Sequence, residues 1–212
     1  TDIFCSTEKI SLVSYTGLEY QLSGIQNNRA IFTLWAITGK LDVEGAIYLN
    51  CAHVPTFQLK ELPTDNKPIG MDDFPMFYKF MGAGQFCRFP KAVLEDDPYP
   101  VRALIVVGGS PMLTFPDSEK WREVYKKLDC LIVSDRYPTE DSRYADIVFP
   151  ACTLFETYKP VVGADGKMGL IEPSIEPVGE CRDDVLILAG IAKKLGVGDD
   201  YPGNVEELKT WL

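Results

Sequence analysis

Ala103–Glu156, ALIVVGGSPMLTFPDSEKWREVYKKLDCLIVSDRYPTEDSRYADIVFPACTLFE, reads as strand, glycine turn, helix, strand, acidic turn and strand. Ala103–Val107 is a continuous apolar run, the pattern of a central parallel strand covered on both faces. Asp117–Leu128 has helical spacing, with Asp117 or Ser118 as N-cap. Cys130–Val133 predicts the next strand, and Asp146–Phe149 a short third one ended by Pro150. Polar turns at the C-terminal ends of neighbouring parallel strands make a ligand crevice in an open α/β sheet.

Four polar clusters are candidate sites. Gly108-Gly109-Ser110-Pro111 follows the first strand; its glycines let backbone amides approach a phosphate or ribose, and Ser110 adds a hydroxyl donor. Ser134-Asp135 ends the second strand, where an acid accepts hydrogen bonds from ribose hydroxyls or a guanine edge, or caps a turn. In Thr139-Glu140-Asp141-Ser142, leading into Tyr144-Ala145-Asp146, Thr139 or Ser142 is expected to cap the short helix that feeds the third strand, with Asp146 at the strand entry. Asp183 is read as the N-cap of the helix Asp183–Leu195, with Asp184 a first-turn acid that the helix dipole favours or that meets a purine edge. No nucleophile–base–acid arrangement and no nucleophile elbow accompany them.

Outward from this core, Lys9–Tyr15 (KISLVSY) alternates and predicts a strand. Ile25–Thr38 has helical spacing and stops at Gly39, which would complete half of a βαβ unit. Leu41–Leu49 is expected to be extended and to turn at Gly45. Asn50–Pro98 is rich in Pro and Gly and reads as a long irregular insertion, with Asp72-Asp73 capping a helix over Phe74–Met81 and another over Phe86–Leu94. Asp96-Asp97 is expected in a solvated loop. Gly169–Pro177 predicts a pair of extended segments. The helix Asp183–Leu195 places Val185, Leu188, Ile191, Ala192 and Leu195 on one face before Gly196, and Val205–Leu212 begins another helix. The fold class expected is α/β, a doubly wound, mostly parallel, Rossmann-like sheet over residues 1–212 with the insertion over 50–98.

The chain has 212 residues, 46% hydrophobic and 25% charged, and a net charge of −10. That acidity argues against nucleic acid as a partner, because phosphate backbones recruit basic surfaces. No apolar run approaches the roughly 18 residues of a membrane span, and Thr1–Thr7 has no signal-peptide pattern. The six cysteines are scattered without a CxxC pair and His53 is the single histidine, so no metal site is expected; Cys51-Ala52-His53 lacks further ligands. Buried single cysteines are the expected reading.

Tyr99–Glu156, with its strand, SerPro turn, "Val-Ser-Asp", Thr139-Glu140 and "Ala-Asp-Ile-Val-Phe-Pro-Ala" ahead of a glutamate, resembles the molybdopterin oxidoreductases of the dimethyl sulfoxide reductase type. Members carry an Asn-Pro turn, then "Val-Ser-Asp", Thr-Glu-Thr and "Ala-Asp-Val-Val-Leu-Pro-Ala". Tyr15–Gly45 resembles the family's "Leu-Thr-Gly-Asn…Gly" segment, and Pro177–Leu195 its "Pro-Gly-Glu-Ala-Arg-Asp-Asp" plus helix. The resemblance implies the central domain of a larger catalytic subunit that holds molybdenum or tungsten between two molybdopterin guanine dinucleotides. It implies that Ser134, Asp135 and Asp184 bind the guanosine end. Gly109, Ser110 and Pro111 would lie near the pyrophosphate or ribose, and Gly17 through Tyr20 would approach the pterin. The metal-ligating residue and the cysteines of a [4Fe–4S] cluster would lie upstream, in an excised part of the polypeptide. Remaining domains of that polypeptide and an electron-transfer subunit are the implied partners. The compartment, cytoplasmic or periplasmic, is left open.

Three positions depart from the pattern. Ser110 stands for Asn, Tyr20 for a frequent Gln, and Thr157 for a Lys of some relatives; the glycine-rich stretch expected after Glu156 is also altered. Two readings follow: a domain that positions one dinucleotide of a working enzyme, or a non-catalytic scaffold of the same fold in a respiratory-type complex. A nicotinamide-binding module is a third class, but no GxGxxG follows the first predicted strand.

Overall fold

The computed structural model describes residues 2–47, 66–162 and 167–212. Cys51 and His53 lie outside them. Contacts divide the chain into two compact units, Thr1–Phe57 with Val162–Lys167, and Gln58–Val161 with Met168–Leu212.

Among the described residues the first unit holds the helices α1 (Asp2–Ser6), α2 (Thr16–Glu19) and α3 (Gly24–Ile37). The C-terminus of α3 is set by Gly39, whose φ of +68° closes a Schellman turn: Lys40 N–H donates to the Trp35 carbonyl at 2.9 Å and Gly39 N–H to that of Ala36 at 3.1 Å. Trp35 anchors the unit. Its ring meets Phe4 edge-on, with centroids 4.8 Å apart, and its indole N–H donates to the Ile10 carbonyl at 3.0 Å.

Lys9–Tyr15 is not a strand; it runs as irregular chain. Its alternation has no sheet to serve. Among the described residues nothing pairs with it in a ladder, and Ile10 and Leu12, the positions that alternation puts on one face, are only half-buried. Alternation specifies a strand only where a neighbour takes its hydrogen bonds and a core takes one face. Gly45 turns with φ +79° between Leu41 and Ile47, which form an isolated parallel bridge; the last two residues of the expected segment Leu41–Leu49 lie outside the described ones.

The second unit carries α4 (Pro75–Met81), a 3₁₀ turn (Phe86–Arg88) and α5 (Phe89–Glu95), then β1 (Ala103–Val107), α6 (Pro111–Thr114) and α7 (Ser118–Lys127). There follow β2 (Cys130–Asp135), a second 3₁₀ turn (Asp141–Arg143), β3 (Ile147–Pro150), β4 (Lys159–Val162), β5 (Met168–Ile171), α8 (Asp184–Lys194) and α9 (Val205–Trp211). β1, β2 and β3 form a parallel sheet in that order, Ala103 opposite Cys130 and Ile132 opposite Ile147. Beyond β3, Ala151 and Arg182 add a parallel bridge. β4 and β5 make a separate two-stranded ribbon. The partner of the extended segment at Met168 is thus upstream, not within Gly169–Pro177 as its sequence suggests.

One sheet face is packed. Val106, Leu131 and Val133 bury against Phe89, Val93, Met112, Trp121, Val124 and Tyr125 of the helical layer. Trp121 is 1% exposed. Its ring lies against Phe86 (5.5 Å), Phe115 (5.7 Å), Tyr125 (5.9 Å) and Phe89 (6.0 Å). The opposite face is only partly covered: Ile105 remains 40% exposed, so the expectation of β1 covered on both faces does not hold among the described residues. β1 also lies at the sheet's edge and β2 at its centre.

Residues 50–65 of the predicted insertion lie outside the described residues; its described part, 66–98, holds more regular structure than its composition suggests. Its last part, α5, supplies Phe89, Ala92 and Val93 to the core. Asp72 and Asp73 do not cap α4, which starts on Pro75 without a side-chain cap; proline at the first turn has no amide to satisfy. Instead Asp72 pairs with Lys67 at 3.2 Å and Asp73 with Arg88 at 2.8 Å. Asp97 and Asp96 are likewise paired, with Lys91 at 2.5 Å and Lys127 at 3.5 Å. α8 buries Ile187 and Ala189, whereas Leu188 and Leu195, predicted to be on its core face, are exposed.

Candidate functional site

The parallel register carries the chain's polar turns to one end of the sheet. Val107 pairs with Ser134, and the next residue, Gly108, donates its amide to the Ser134 carbonyl at 3.0 Å. Gly108 has φ +58°, the left-handed region that glycine enters without a Cβ penalty. The turn after β1 and the acid at the end of β2 therefore adjoin each other.

Asp135 orients its own carboxylate. Oδ1 accepts the Tyr137 amide at 3.2 Å, an Asx turn, while no described residue donates to Oδ2. Ser134 is buried and donates through Oγ to Asp184 Oδ1 at 2.8 Å. That bond draws the first turn of α8 to the end of β2, and Asp184 Oδ2 has no donor among the described residues.

Asp183 has a different job. It caps α8 by accepting the Val185 amide at 2.8 Å, as its sequence predicts. Its other oxygen accepts the Thr157 hydroxyl at 2.7 Å and lies 3.5 Å from Lys159 Nζ. Of the two adjacent acids, Asp184 alone keeps an acceptor available.

The glycine turn is held from behind. Ser110 is buried and its hydroxyl donates to Asp141 Oδ2. Asp141 is fully buried; Oδ1 accepts the Met112 amide at 3.1 Å and the Tyr125 hydroxyl at 2.5 Å. Burial first, then the bond to this carboxylate, keeps the Tyr125 phenol protonated well above its ordinary range. The Ser110 hydroxyl proton is thus committed within the fold. The turn's uncommitted groups are backbone: no described group accepts from the Gly109 or Ser110 amide. Pro111 is buried as the first residue of α6.

Neither Thr139 nor Ser142 caps the 3₁₀ turn, whose N-cap position is Glu140 without a side-chain bond. Ser142 donates back to the Thr139 carbonyl at 2.6 Å, and Thr139 Oγ1 is buried with no partner among the described residues. Asp146 closes the start of the β2–β3 pairing, accepting the Leu131 amide at 2.7 Å.

Glu156 clamps the loop after β3. Its carboxylate accepts the Thr153 amide at 2.7 Å and the Val178 amide at 2.8 Å. These bonds, led by Thr153, lower its pKa below the ordinary 4.5. A depressed folded pKa means stability that is present above the unfolded value and lost as pH falls through the folded one. Glu156→Gln should therefore melt below the wild type at pH 7, with the difference closing on acidification toward pH 3. A difference unchanged by pH in thermal melts would contradict this. The neighbouring Cys152 is buried, and burial followed by the Glu156 charge pushes its thiol up to about 11, so it remains an unreactive small apolar residue.

The structure thus brings Gly109, Ser110, Pro111, Ser134, Asp135 and Asp184 together at one sheet end. Gly17 and Tyr20 belong to the first unit, at α2 and just after it, where Tyr20 is 82% exposed. Asp141 lay inside the third cluster read from the sequence, but no role was assigned to it there. Nothing in Thr139-Glu140-Asp141-Ser142 distinguishes a buried acid from a turn residue.

The family model for molybdopterin oxidoreductases matches residues 8–194. The chain belongs to this family. Similar proteins include the F420-dependent formate dehydrogenase subunit alpha of Methanocaldococcus jannaschii, 24% identical over 97% of this chain and 32% of that one. The thiosulfate reductase subunit PhsA of Salmonella typhimurium is 28% identical over 84% of this chain and 26% of its own length. The dimethyl sulfoxide/trimethylamine N-oxide reductase of Rhodobacter capsulatus is 32% identical over 50% and 13%. This molybdopterin oxidoreductase chain spans about a third or less of these relatives. Acetylene hydratase from Pelobacter acetylenicus superposes on 99% of the chain, and on 33% of its own, with a TM-score of 0.79 at 22% identity. That likeness establishes the α/β fold. No helix among the described residues is long and apolar enough to cross a membrane.

Proposed function

We propose that this chain is the part of a molybdopterin-dependent oxidoreductase that binds and positions one molybdopterin guanine dinucleotide at the end of β1 and β2. The observation that carries the reading is the pair of uncommitted carboxylate oxygens, Asp135 Oδ2 and Asp184 Oδ2, next to the unpaired amides of Gly109 and Ser110. A guanine edge offers N–H donors, which carboxylates accept; adenine sets a ring-nitrogen acceptor beside its single amino group, which a carboxylate repels. Phosphate or ribose oxygens accept from backbone amides.

The residues fit such a group in one further respect. A Cβ on Gly108 would meet nothing within 4 Å, and one on Gly109 only the Val107 carbonyl at 3.9 Å, so the turn is open to close approach. When bound, the molybdenum or tungsten centre would supply the redox chemistry. The chain's residues bind and orient: Asp135 and Asp184 select the base, and the Gly109 and Ser110 amides hold the phosphate or ribose. Gly17 and Tyr20 would approach the pterin. In this reading the sheet is the core of a doubly wound domain, other parts of the polypeptide carry the metal ligand and any [4Fe–4S] cluster, and an electron-transfer subunit is the partner. The open acceptors favour a working site over a scaffold that has lost its cofactor.

Calorimetric titration tests this. GDP should bind the protein at about the millimolar level, near −4 kcal/mol, and ADP should not. Equal affinity for the two nucleotides, or none for GDP, would overturn the reading.

A further inference from the structure

The fully buried carboxylate of Asp141 has no place among the groups that would face a dinucleotide, yet three separate donors converge on it. Ser110 Oγ–H and Met112 N–H come from the turn after β1, and Tyr125 O–H from α7. A buried carboxylate is costly unless its oxygens are satisfied, and here both are. The donors are divided by function. Ser110 and Met112 flank Pro111 and fix the exit of the glycine turn, whereas Tyr125 joins the same acid to the helical layer.

We propose that Asp141 is a positioning residue for the strand-end crevice: it anchors the Ser110 hydroxyl and the Met112 amide so that the Gly109 and Ser110 amides face the ligand. This deepens the guanine-dinucleotide reading above and rests on it. Asp141 touches no ligand itself.

The test compares GDP affinity with thermal stability in the wild type, Asp141→Ala, Ser110→Ala and Tyr125→Phe, with Asp135→Asn as the control for the base contact. A positioning role predicts that Asp141→Ala and Ser110→Ala weaken GDP about tenfold or more, the scale of one lost hydrogen bond to a charged group. Tyr125→Phe should melt earlier yet bind GDP as the wild type does, because the turn-side bonds remain. Ser110→Ala carries the test if Asp141→Ala does not fold. The proposal is overturned if Ser110→Ala binds GDP normally, or if Tyr125→Phe loses affinity in step with stability, the signature of a purely structural acid. Should the wild type bind GDP and Asp135→Asn lose it while the Asp141 and Ser110 variants bind normally, this proposal alone falls. Should the wild type bind no GDP, the parent reading falls with it.

Discussion

Replacing Trp121 with alanine is expected to cost about 3–5 kcal/mol, the range for removing a large aromatic side chain from a packed core. Trp121 is 1% exposed. It fills the space between the helical layer and the sheet, with Phe86, Phe89, Phe115 and Tyr125 around it. Those neighbours come from three stretches: the 3₁₀ turn and α5, the segment after α6, and α7 itself. Truncation leaves a void that no one of them can fill without giving up its own contacts. The denaturation midpoint should fall sharply, and the turn after β1, packed through Met112 and Phe115, should loosen with it. A loss below about 1 kcal/mol, the scale of a surface change, would mean that the aromatic layer is not the mechanical support of the crevice.

Asp135→Asn should abolish guanine-nucleotide binding while leaving the fold nearly as stable. The asparagine oxygen can still accept the Tyr137 amide, so the Asx turn at the end of β2 survives. What changes is the outward atom. An acceptor oxygen becomes an NH₂ donor, which faces the donors of a guanine edge. Hydrogen bonds to a charged group contribute about 1.5–3 kcal/mol, so affinity should drop roughly tenfold to more than a hundredfold. From a millimolar start, that puts binding beyond detection by calorimetry. Unchanged GDP affinity with unchanged stability would show that Asp135 does not contact the base.

The run Ala103–Phe149 was readable because physical signals agreed there. A five-residue apolar run, glycines at a turn, an N-capping Asp117 and a second apolar run leave little freedom. Asp117 does cap α7, accepting the Lys120 amide at 3.2 Å, and Asp183 caps α8. Lys9–Tyr15 misled because alternation is a weak signal without a partner strand, and the partner is a property of the whole fold. Leu188 and Leu195 misled for a related reason: helical spacing defines an apolar stripe but not which side of it is covered.

The places of Ser134 and Asp135 at the end of β2 and of Asp184 at the start of α8 were legible in the sequence. The division of labour between Asp183 and Asp184 was not. It depends on the Thr157 hydroxyl and Lys159, 24 to 26 residues upstream of Asp183, occupying one acid and leaving the other open. Asp141 was hidden entirely. A polar residue in a turn is exposed by default, and only the convergence of Ser110, Met112 and Tyr125 in three dimensions makes its burial tolerable.

Whether a guanine nucleotide enters the strand-end crevice of this chain is tested most directly by amide chemical shifts of the ¹⁵N-labelled protein during a GDP titration. Saturable shifts are expected at Gly109, Ser110, Asp135, Tyr137 and Val185, with the remainder of the sheet unmoved and ADP without effect. Shifts confined to other residues, or the same shifts with ADP, would contradict this reading.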